Sequence, residues 1–215
     1  MINQIDIVLL EQLSNYLAFF AIIIINSILG TKVLRERKNT GKFNIIRLIM
    51  FLAMLSLLWV LLWEMLYENT ALGSFLSMEL IMSTETFSFY NVGIGLIVTL
   101  GLTMVTYANR WESFYYTPLF LFIGMFLLYL FTGFHLFLKP YIYISALTSA
   151  AFMTITGIKI RDEAPLGLAI FFLLALMAMN LESSLLGVII NLIYPIFGII
   201  LSLGFFRIFK KEVVN

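Results

Sequence analysis

The 215-residue sequence has no cysteine, one histidine and two aspartates, Asp6 and Asp162. Without cysteine, the chain cannot form disulfides, thiolate metal sites or a cysteine nucleophile. Its start carries Asp6 and Glu11 but neither lysine nor arginine before residue 32, the reverse of the positive beginning of a secretory signal peptide. We therefore expect no cleaved leader.

Charge is also scarce. Charged residues make up 12% of the chain and hydrophobic residues 62%, with a mean hydropathy of +1.03. Soluble globular chains average about 25% charged residues. This composition leaves too little polar surface to cover a fold exposed to water, so it predicts an integral membrane protein. The net charge of +1 gives no reason to expect nucleic acid as a partner.

The side chains needed for membrane-embedded catalysis are missing. The last apolar segment has no lysine for a retinal Schiff base, and neither aspartate lies in an apolar segment as an intramembrane aspartyl protease would require. The single His135 lies at a segment end, away from any intramembrane serine. Zinc motifs such as HExxH and glycine-rich phosphate loops do not occur. We expect neither enzymatic activity nor a bound cofactor or metal.

Seven apolar segments are long enough, or nearly so, to cross a bilayer, which takes about 20 residues as a helix. They predict an all-α membrane protein, a single seven-helix bundle. The segments are residues 15–34, 44–66, 86–107, 115–134, 141–158, 165–181 and 184–206. Pro140 is expected to open the fifth helix and Pro165 the sixth. Between the second and third segments, residues 74–83 are expected to lie in the membrane interface or to extend the third helix outward.

The basic residues divide unequally between the two sets of connecting segments. One set holds 12 of the 13 lysines and arginines and the other holds only Lys139. The 12 are Lys32, Arg35, Arg37, Lys38, Lys42, Arg47, Arg110, Lys159, Arg161, Arg207, Lys210 and Lys211. Because basic residues concentrate in cytoplasmic segments, this pattern places the N-terminus outside and the C-terminus in the cytoplasm, with the plasma membrane as the expected location.

Small and polar residues at spacings of three or four mark packed faces on the third, fifth and seventh helices. The third and seventh helices carry Ser88, Asn91, Gly95, Thr99, Thr103, Thr106, Ser184, Gly187, Asn191, Pro195, Gly198 and Ser202 on these faces. They either pack the helices or line a path for a ligand or permeant species. Asn91 and Asn191 are the sharpest candidates, because an amide in hydrocarbon needs a partner. Pro195 also removes the helical donor of the Asn191 carbonyl, which predicts a kink.

Ionisable residues near the outer helix ends form a second candidate site. Glu64 is the one acid that the segments place inside a helix, and an intramembrane acid is a functional candidate. Glu79, Glu85, His135 and Glu182 are expected at the same level. Together they would form a proton-sensing or cation-binding patch, in which His135 titrates near neutrality. The alternative is that each group is solvated at the interface.

The basic segment of residues 32–47 holds six cations, Lys32, Arg35, Arg37, Lys38, Lys42 and Arg47. Setting the membrane orientation explains these charges without a ligand. Clusters of this size next to a membrane helix also bind anionic lipid or a cytoplasmic partner. Both interpretations stay open at the level of sequence.

A basic hinge, a leucine-rich helix closing with tryptophan and glutamate, a polar outer loop and a third helix ending in Thr-Tyr follow one another in this chain. The residues that carry this order are Arg35, Glu36, Arg37, Lys38, Trp59, Trp63, Glu64, Thr106 and Tyr107. The order resembles the seven-helix membrane-sensor region of prokaryotic histidine kinases. The resemblance implies an outer N-terminus and output through the last helix. No kinase follows here, so such a sensor would signal through a separate partner.

We expect a membrane sensor or interaction protein without a catalytic domain, signalling through a cytoplasmic protein. The alternative is a small transporter or channel with a polar path between the third, fifth and seventh helices. Besides the lipid bilayer, a second copy of the chain remains open as a partner.

Overall fold

The computed structural model describes residues 4–69, 79–80, 83–86, 89–132, 135–161, 163–181 and 184–204. Within these residues the chain is helical apart from one short pair of strands and a single 3₁₀ turn, Glu112–Phe114. The helices are α1 (Gln4–Thr40), α2 (Ile45–Asn69), α3 (Phe89–Ala108), α4 (Thr117–Thr132), α5 (His135–Ile160), α6 (Glu163–Asn180) and α7 (Leu185–Leu203). The strands are β1 (Glu79–Leu80) and β2 (Ser83–Thr86).

Each of the seven predicted apolar segments overlaps one of these helices. Six of them are long and apolar enough to cross a membrane, which agrees with the predicted helical membrane class. The remaining helix, α6, has 18 residues and therefore spans about 27 Å at about 1.5 Å per residue. Its described apolar span, Glu163–Ala178, is shorter than the six spans of the other helices.

Helix α1 is much longer than the predicted segment 15–34. It has 37 residues and therefore extends about 55 Å, whereas a bilayer core is about 30 Å thick. The sequence underestimated it at both ends, because polar residues such as Asp6 and Glu11 precede the apolar run and a basic run follows Leu34, and both flanks are also helical. Lysine and arginine are good helix formers, so polarity ends the membrane span without ending the helix.

The predicted start of the fifth helix at Pro140 is wrong. Helix α5 begins five residues earlier, at His135, and contains Pro140. Pro140 is the sixth residue of the helix, so its missing N–H leaves the carbonyl of residue 136 without its helical donor, and α5 continues through this position. Pro165, in contrast, lies in the first turn of α6, as predicted.

The segment between α2 and α3 is also not the predicted interfacial or extended helix where the structure describes it. Glu79 pairs with Thr86 and Leu80 with Ser83 in an antiparallel ladder. Thr86 had been predicted as the first residue of the third helix, which instead begins at Phe89. Serine and threonine at residues 83–86 favour strand and turn conformations over helix, and this local preference prevails here.

Four helices end at the side predicted to be cytoplasmic, and each is followed within two residues by a left-handed backbone conformation. The residues are Gly41 (φ 71°), Arg110 (φ 58°), Arg161 (φ 50°) and Gly204 (φ 86°). After α3, the Arg110 N–H donates to the Tyr107 carbonyl at 3.2 Å and the Trp111 N–H donates to the Thr106 carbonyl at 2.9 Å. This is the Schellman arrangement, in which glycine is preferred because a side chain in that conformation costs about 1–2 kcal/mol. Arg110 and Arg161 adopt this left-handed conformation nonetheless.

The chain divides into two compact units. One contains α1 up to Leu29, α5 from Ser149, and the helices α6 and α7. In this unit α7 packs closely at Gly198, where a Cβ atom would lie 2.7 Å from Ile25 Cδ1 and 2.8 Å from Phe171 Cε2. The ring of Phe171, itself 1% exposed, meets Tyr194 edge to face at 5.6 Å. Gly198 and the rings of Phe171 and Tyr194 therefore allow α7 to pack closely against α1 and α6.

The other unit contains Gly30–Thr148 and therefore the α1–α2 connection, α2, α3, α4 and the first half of α5. A Cβ atom on Gly93 of α3 would overlap the buried Val60 of α2. Two residues later, a Cβ atom on Gly95 would lie 2.9 Å from Phe122 of α4. The glycines of α3 thus allow both neighbouring helices to approach it.

Burial confirms which helix faces the sequence assigned to packing. Of the span Asn91–Ala108 in α3, 56% is buried, against 17% of Glu112–Thr132 around α4 and 22% of Ile45–Trp63 in α2. The spans of α5 and α7 are 44% and 39% buried. Helix α1, at 39%, was not assigned to the packed set, because its buried residues are mainly Ile, Leu and Ala, with only Ser14 and Asn26 as buried polar residues.

Gly93→Ala should lower the thermal midpoint of the purified protein in detergent, because the new methyl group must displace Val60 from a fully packed position. We expect a loss of about 1–3 kcal/mol. Gly124→Ala is the matched control, since nothing lies within 4 Å of a Cβ atom there, and its midpoint should stay level or rise. Equal effects of the two substitutions would contradict the close packing of α2 against α3.

Candidate functional site

The basic segment forms an ordered helical hairpin, here called the basic hairpin (residues 32–47). At the end of α1 the Gly41 N–H donates to the Arg37 carbonyl at 2.8 Å, and the Thr40 hydroxyl donates to the Glu36 carbonyl at 2.8 Å. Asn44 then caps α2, with its Oδ1 accepting the Arg47 N–H at 3.3 Å. The turn between the two helices is therefore fixed by its own residues.

One ion pair connects the two arms of the basic hairpin. Arg47 Nη1 donates to Glu36 Oε2 at 2.6 Å, and Asn44 Nδ2 donates to the other carboxylate oxygen at 3.4 Å. The guanidinium of Arg37 lies 4.6 Å from the centre of the Phe43 ring. Glu36 is the only acid in the hairpin, so its carboxylate neutralises one cation of six.

The other cations of the basic hairpin face outward. Arg35, Arg37, Lys38 and Lys42 are exposed and Lys32 is half-buried. In the part of the chain that the structure describes, Arg35, Lys38 and Lys42 have no carboxylate within ion-pair distance. With six basic residues and one acid, the hairpin carries a net charge of +5. It is a preformed cationic surface.

Asn191 of α7 contacts the beginning of α1. Its Nδ2 donates to Ser14 Oγ at 3.0 Å and to Asn15 Oδ1 at 2.7 Å. Ser14 is fully buried, whereas Asn15 is exposed. We call these three residues the amide clamp. The prediction that Asn191 needs a partner is confirmed, but Ser14 and Asn15 were missed, although they form a polar pair at the start of the first apolar segment.

Pro195 follows Asn191 by one helical turn, and α7 continues through it to Leu203. Because proline has no N–H, the Asn191 carbonyl loses the helical donor at position 195. Pro195 is buried beside Tyr194, which is 5% exposed. The side chain and the carbonyl of Asn191 therefore both depart from ordinary helical bonding.

In the other unit, hydroxyl groups follow the buried face of α3. Thr99 donates to the Gly95 carbonyl at 2.7 Å, and its Oγ1 lies 2.7 Å from the Tyr141 hydroxyl of α5. The Thr103 hydroxyl donates to the Thr99 carbonyl at 2.9 Å, and Thr106 to the Thr103 carbonyl at 2.8 Å. Tyr141 was not predicted as part of this face.

This arrangement favours packing over a polar path on α3. A path needs hydroxyls that can bind a passing solute or water. The hydroxyls of Thr99, Thr103 and Thr106 instead hydrogen bond to carbonyls of their own helix, and Thr99 also meets Tyr141. Ser149 in α5 is 2% exposed, and its hydroxyl has no hydrogen-bond partner among the described residues. A single such group does not make a path.

The predicted outer patch is described only by its backbone, and not at every position. Glu64 lies in the last two turns of α2, Glu79 in β1, Glu85 in β2, and His135 at the start of α5. The side chains of these four residues, and Glu182 as a whole, lie outside what the structure describes. Asn91 lies half-buried in α3 and is engaged in interactions there. The patch remains a prediction.

No group of three or more histidine or carboxylate side chains able to hold a metal occurs among the residues described. The arrangement therefore offers an outward cationic surface, an interhelical amide clamp and a buried, internally bonded hydroxyl row. Of these, the first two can act on something outside their own helix.

The amide clamp predicts a measurable coupling between α1 and α7. In a double-mutant cycle of Asn191→Ala and Asn15→Ala, unfolding in mixed detergent should give a coupling energy of about 0.5–1.5 kcal/mol. Ser27→Ala paired with Asn191→Ala is the control, because the Ser27 hydroxyl donates to the Ile23 carbonyl within α1. A coupling to Asn15 no larger than that to Ser27 would contradict the clamp.

Comparison with protein-family models, curated proteins and solved structures finds no match. The resemblance to histidine-kinase sensor regions is therefore not tested and stays a prediction. The function has to be inferred from the residues of this chain.

Proposed function

We propose that this chain is a multi-pass sensor or interaction protein of the plasma membrane that acts without catalysis and passes a signal to a cytoplasmic protein. In this proposal all seven helices cross the bilayer, with the N-terminus outside. The observation that carries it is the amide clamp, which joins the outer end of α1 to α7, the helix that leads into the cytoplasmic tail.

The helix ends support the orientation. The C-terminal ends of α1, α3, α5 and α7 carry the negative end of the helix dipole, and a left-handed residue follows each. In sequence, 12 of the 13 basic residues lie at or near these four ends. The same basic residues thus lie near helix C-termini, where cations are favourable, and in the segments that the charge pattern assigns to the cytoplasm. The 18 residues of α6 cover about 27 Å, which fits a bilayer core of about 30 Å with slight local thinning.

The amide clamp is suited to sensing because it can be broken at low cost. Interhelical hydrogen bonds in membranes contribute about 0.6 kcal/mol on average. A ligand, proton or lipid that favours the open clamp could therefore shift the population of α7 positions with modest binding energy. Pro195 one turn further on leaves the Asn191 carbonyl without its helical donor, and backbone hydrogen bonding is weakest there.

Transport is less well supported by the same residues. The proposed path needed free polar groups on α3, α5 and α7, and the described hydroxyls of α3 bond to their own helix. The Asn191 amide of α7 is engaged with α1. Solute flux through liposomes containing the protein, altered by Thr99→Val, would replace the sensor proposal with transport.

Spin labels can test whether the clamp controls α7. Because the chain has no cysteine, Ile158→Cys and Leu203→Cys place two unique labels on exposed positions near the inner ends of α5 and α7. Asn191→Leu should shift or broaden the distance distribution between these labels in nanodiscs. Ser27→Ala is the control and should leave it unchanged. An unchanged distribution in Asn191→Leu would remove the clamp as a signalling element.

The partner can be tested in the native host with a photo-crosslinking amino acid at Lys211 in the tail. We expect a cytoplasmic protein to crosslink at this position. The crosslinking yield should change at least about three-fold in Asn191→Leu, because losing about 0.6 kcal/mol or more shifts a two-state population by about that factor. The same amino acid at the exposed Trp59 of α2 is the control for non-specific capture. An equal crosslinking yield with and without the Asn191→Leu substitution would contradict signalling through α7.

A further inference from the structure

We infer that the basic hairpin is a binding site for the phosphate groups of anionic phospholipids in the cytoplasmic leaflet. The inference does not depend on the proposed signalling role, because it concerns a different surface and a different partner. It uses the position, charge and apolar surface of the hairpin.

The first argument is depth. Helix α1 continues for six residues beyond Leu34, the last residue of its apolar run, and these residues add about 9 Å. Each headgroup layer is about 5–7 Å thick, since a bilayer of about 40–45 Å has a core of about 30 Å. The cations of the last turns of α1, Arg35 to Lys38, therefore lie within the headgroup layer, and the turn to α2 lies at its outer boundary. The connection of residues 41–44 is too short to leave that level.

The second argument is charge that the hairpin does not neutralise itself. Glu36 is bound to Arg47 and Asn44, which leaves a net charge of +5 on a surface whose remaining cations are mostly exposed. Four to eight basic residues beside a membrane helix is the usual composition of an anionic-lipid site.

The third argument is the apolar surface between the cations, which distinguishes a lipid from a soluble acidic protein. Phe43, Ile45 and Ile46 are 42%, 47% and 36% exposed at the turn of the hairpin. The Arg37 guanidinium covers one face of the Phe43 ring. A phospholipid offers phosphate to the cations and acyl chain to these side chains at once. An acidic protein surface would satisfy the charges and leave the apolar side chains in contact with water.

The preformed turn explains how these cations can hold a phosphate. Asn44 and Gly41 fix the backbone, and the Glu36–Arg47 ion pair connects the two arms. Arginine presents a planar fork of donors that matches phosphate oxygens, and Arg35 and Arg37 supply two such forks from the last turns of α1. Binding therefore does not first have to order the loop.

A fluorescent reporter tests the inference on the purified full chain. The substitution F43W, in a background of W59F, W63F and W111F, places one tryptophan at the turn and keeps an aromatic ring under Arg37. Brominated phosphatidylglycerol and brominated phosphatidylcholine in nanodiscs are then compared as quenchers. At about 50 mM salt we expect half-maximal quenching at a fraction of phosphatidylglycerol about ten-fold lower than that of phosphatidylcholine. The preference should shrink several-fold at about 500 mM salt.

Charge variants identify the responsible cations. R35Q/R37Q/K38Q/K42Q should abolish the preference for phosphatidylglycerol. R110Q/K139Q/K159Q/R161Q removes the same number of charges outside the hairpin and should retain it. Circular dichroism establishes that each variant is folded. If the hairpin variant does not fold, the salt dependence of the reporter protein decides.

Equal quenching by the two lipids at low salt would overturn the inference, as would a preference that survives in the hairpin variant. Absence of quenching by either lipid would also overturn it and would indicate a soluble occupant such as an acidic protein. The quenching experiments do not measure the distance between the spin labels at positions 158 and 203. A failure of the lipid inference is therefore distinguishable from a failure of the sensor proposal.

Discussion

Hydrocarbon offers no hydrogen-bond partner to a peptide group, and this constraint determines most of the chain. A membrane-spanning backbone must satisfy its polar groups within itself, which a helix does everywhere except at its ends. The ends are therefore where this protein places its specialised residues. Left-handed residues follow four helices, Asn44 caps α2, and Ser184 caps α7 by accepting the Gly187 N–H at 3.0 Å. Most of the cations lie beside the same ends.

Polar side chains within the helices follow the same rule in two different ways. On α3 the hydroxyls of Thr99, Thr103 and Thr106 hydrogen bond to carbonyls of their own helix, so they add little that depends on a neighbour except at Tyr141. On α7 the amide of Asn191 cannot be satisfied in this way alone and reaches Ser14 and Asn15. The threonines of α3 are therefore largely satisfied within their own helix, as is the Asn26 amide, which donates to the Ile22 carbonyl of α1 at 3.0 Å. Asn191 instead depends on the position of α1, and this difference is the physical reason for proposing a sensing role for α7.

Hydropathy and small-residue spacing were sufficient to predict the helical membrane class, the helices and the packed faces of α3, α5 and α7. They could not give the length of α1, because Arg35, Arg37 and Lys38 end the apolar run while favouring helix. They missed Ser14, Asn15 and Tyr141, since nothing in one sequence says which distant residue will meet Asn191 or Thr99. The basic hairpin was visible as charge, but the Glu36–Arg47 pair and the exposed apolar turn depend on how α1 and α2 approach each other.

The two compact units are not continuous in sequence, and this affects the order in which the protein can assemble. The unit of Gly30–Thr148 is complete when α5 is half synthesised, whereas the other draws α1 from the beginning of the chain and α6 and α7 from its end. The contact between Asn15 and Asn191 joins residues 176 positions apart. During synthesis the contacts of Ser14 and Asn15 with Asn191 therefore cannot form until the last helix has been made. The amide clamp is in this sense the closing step of biogenesis, and a truncated chain would lack it entirely.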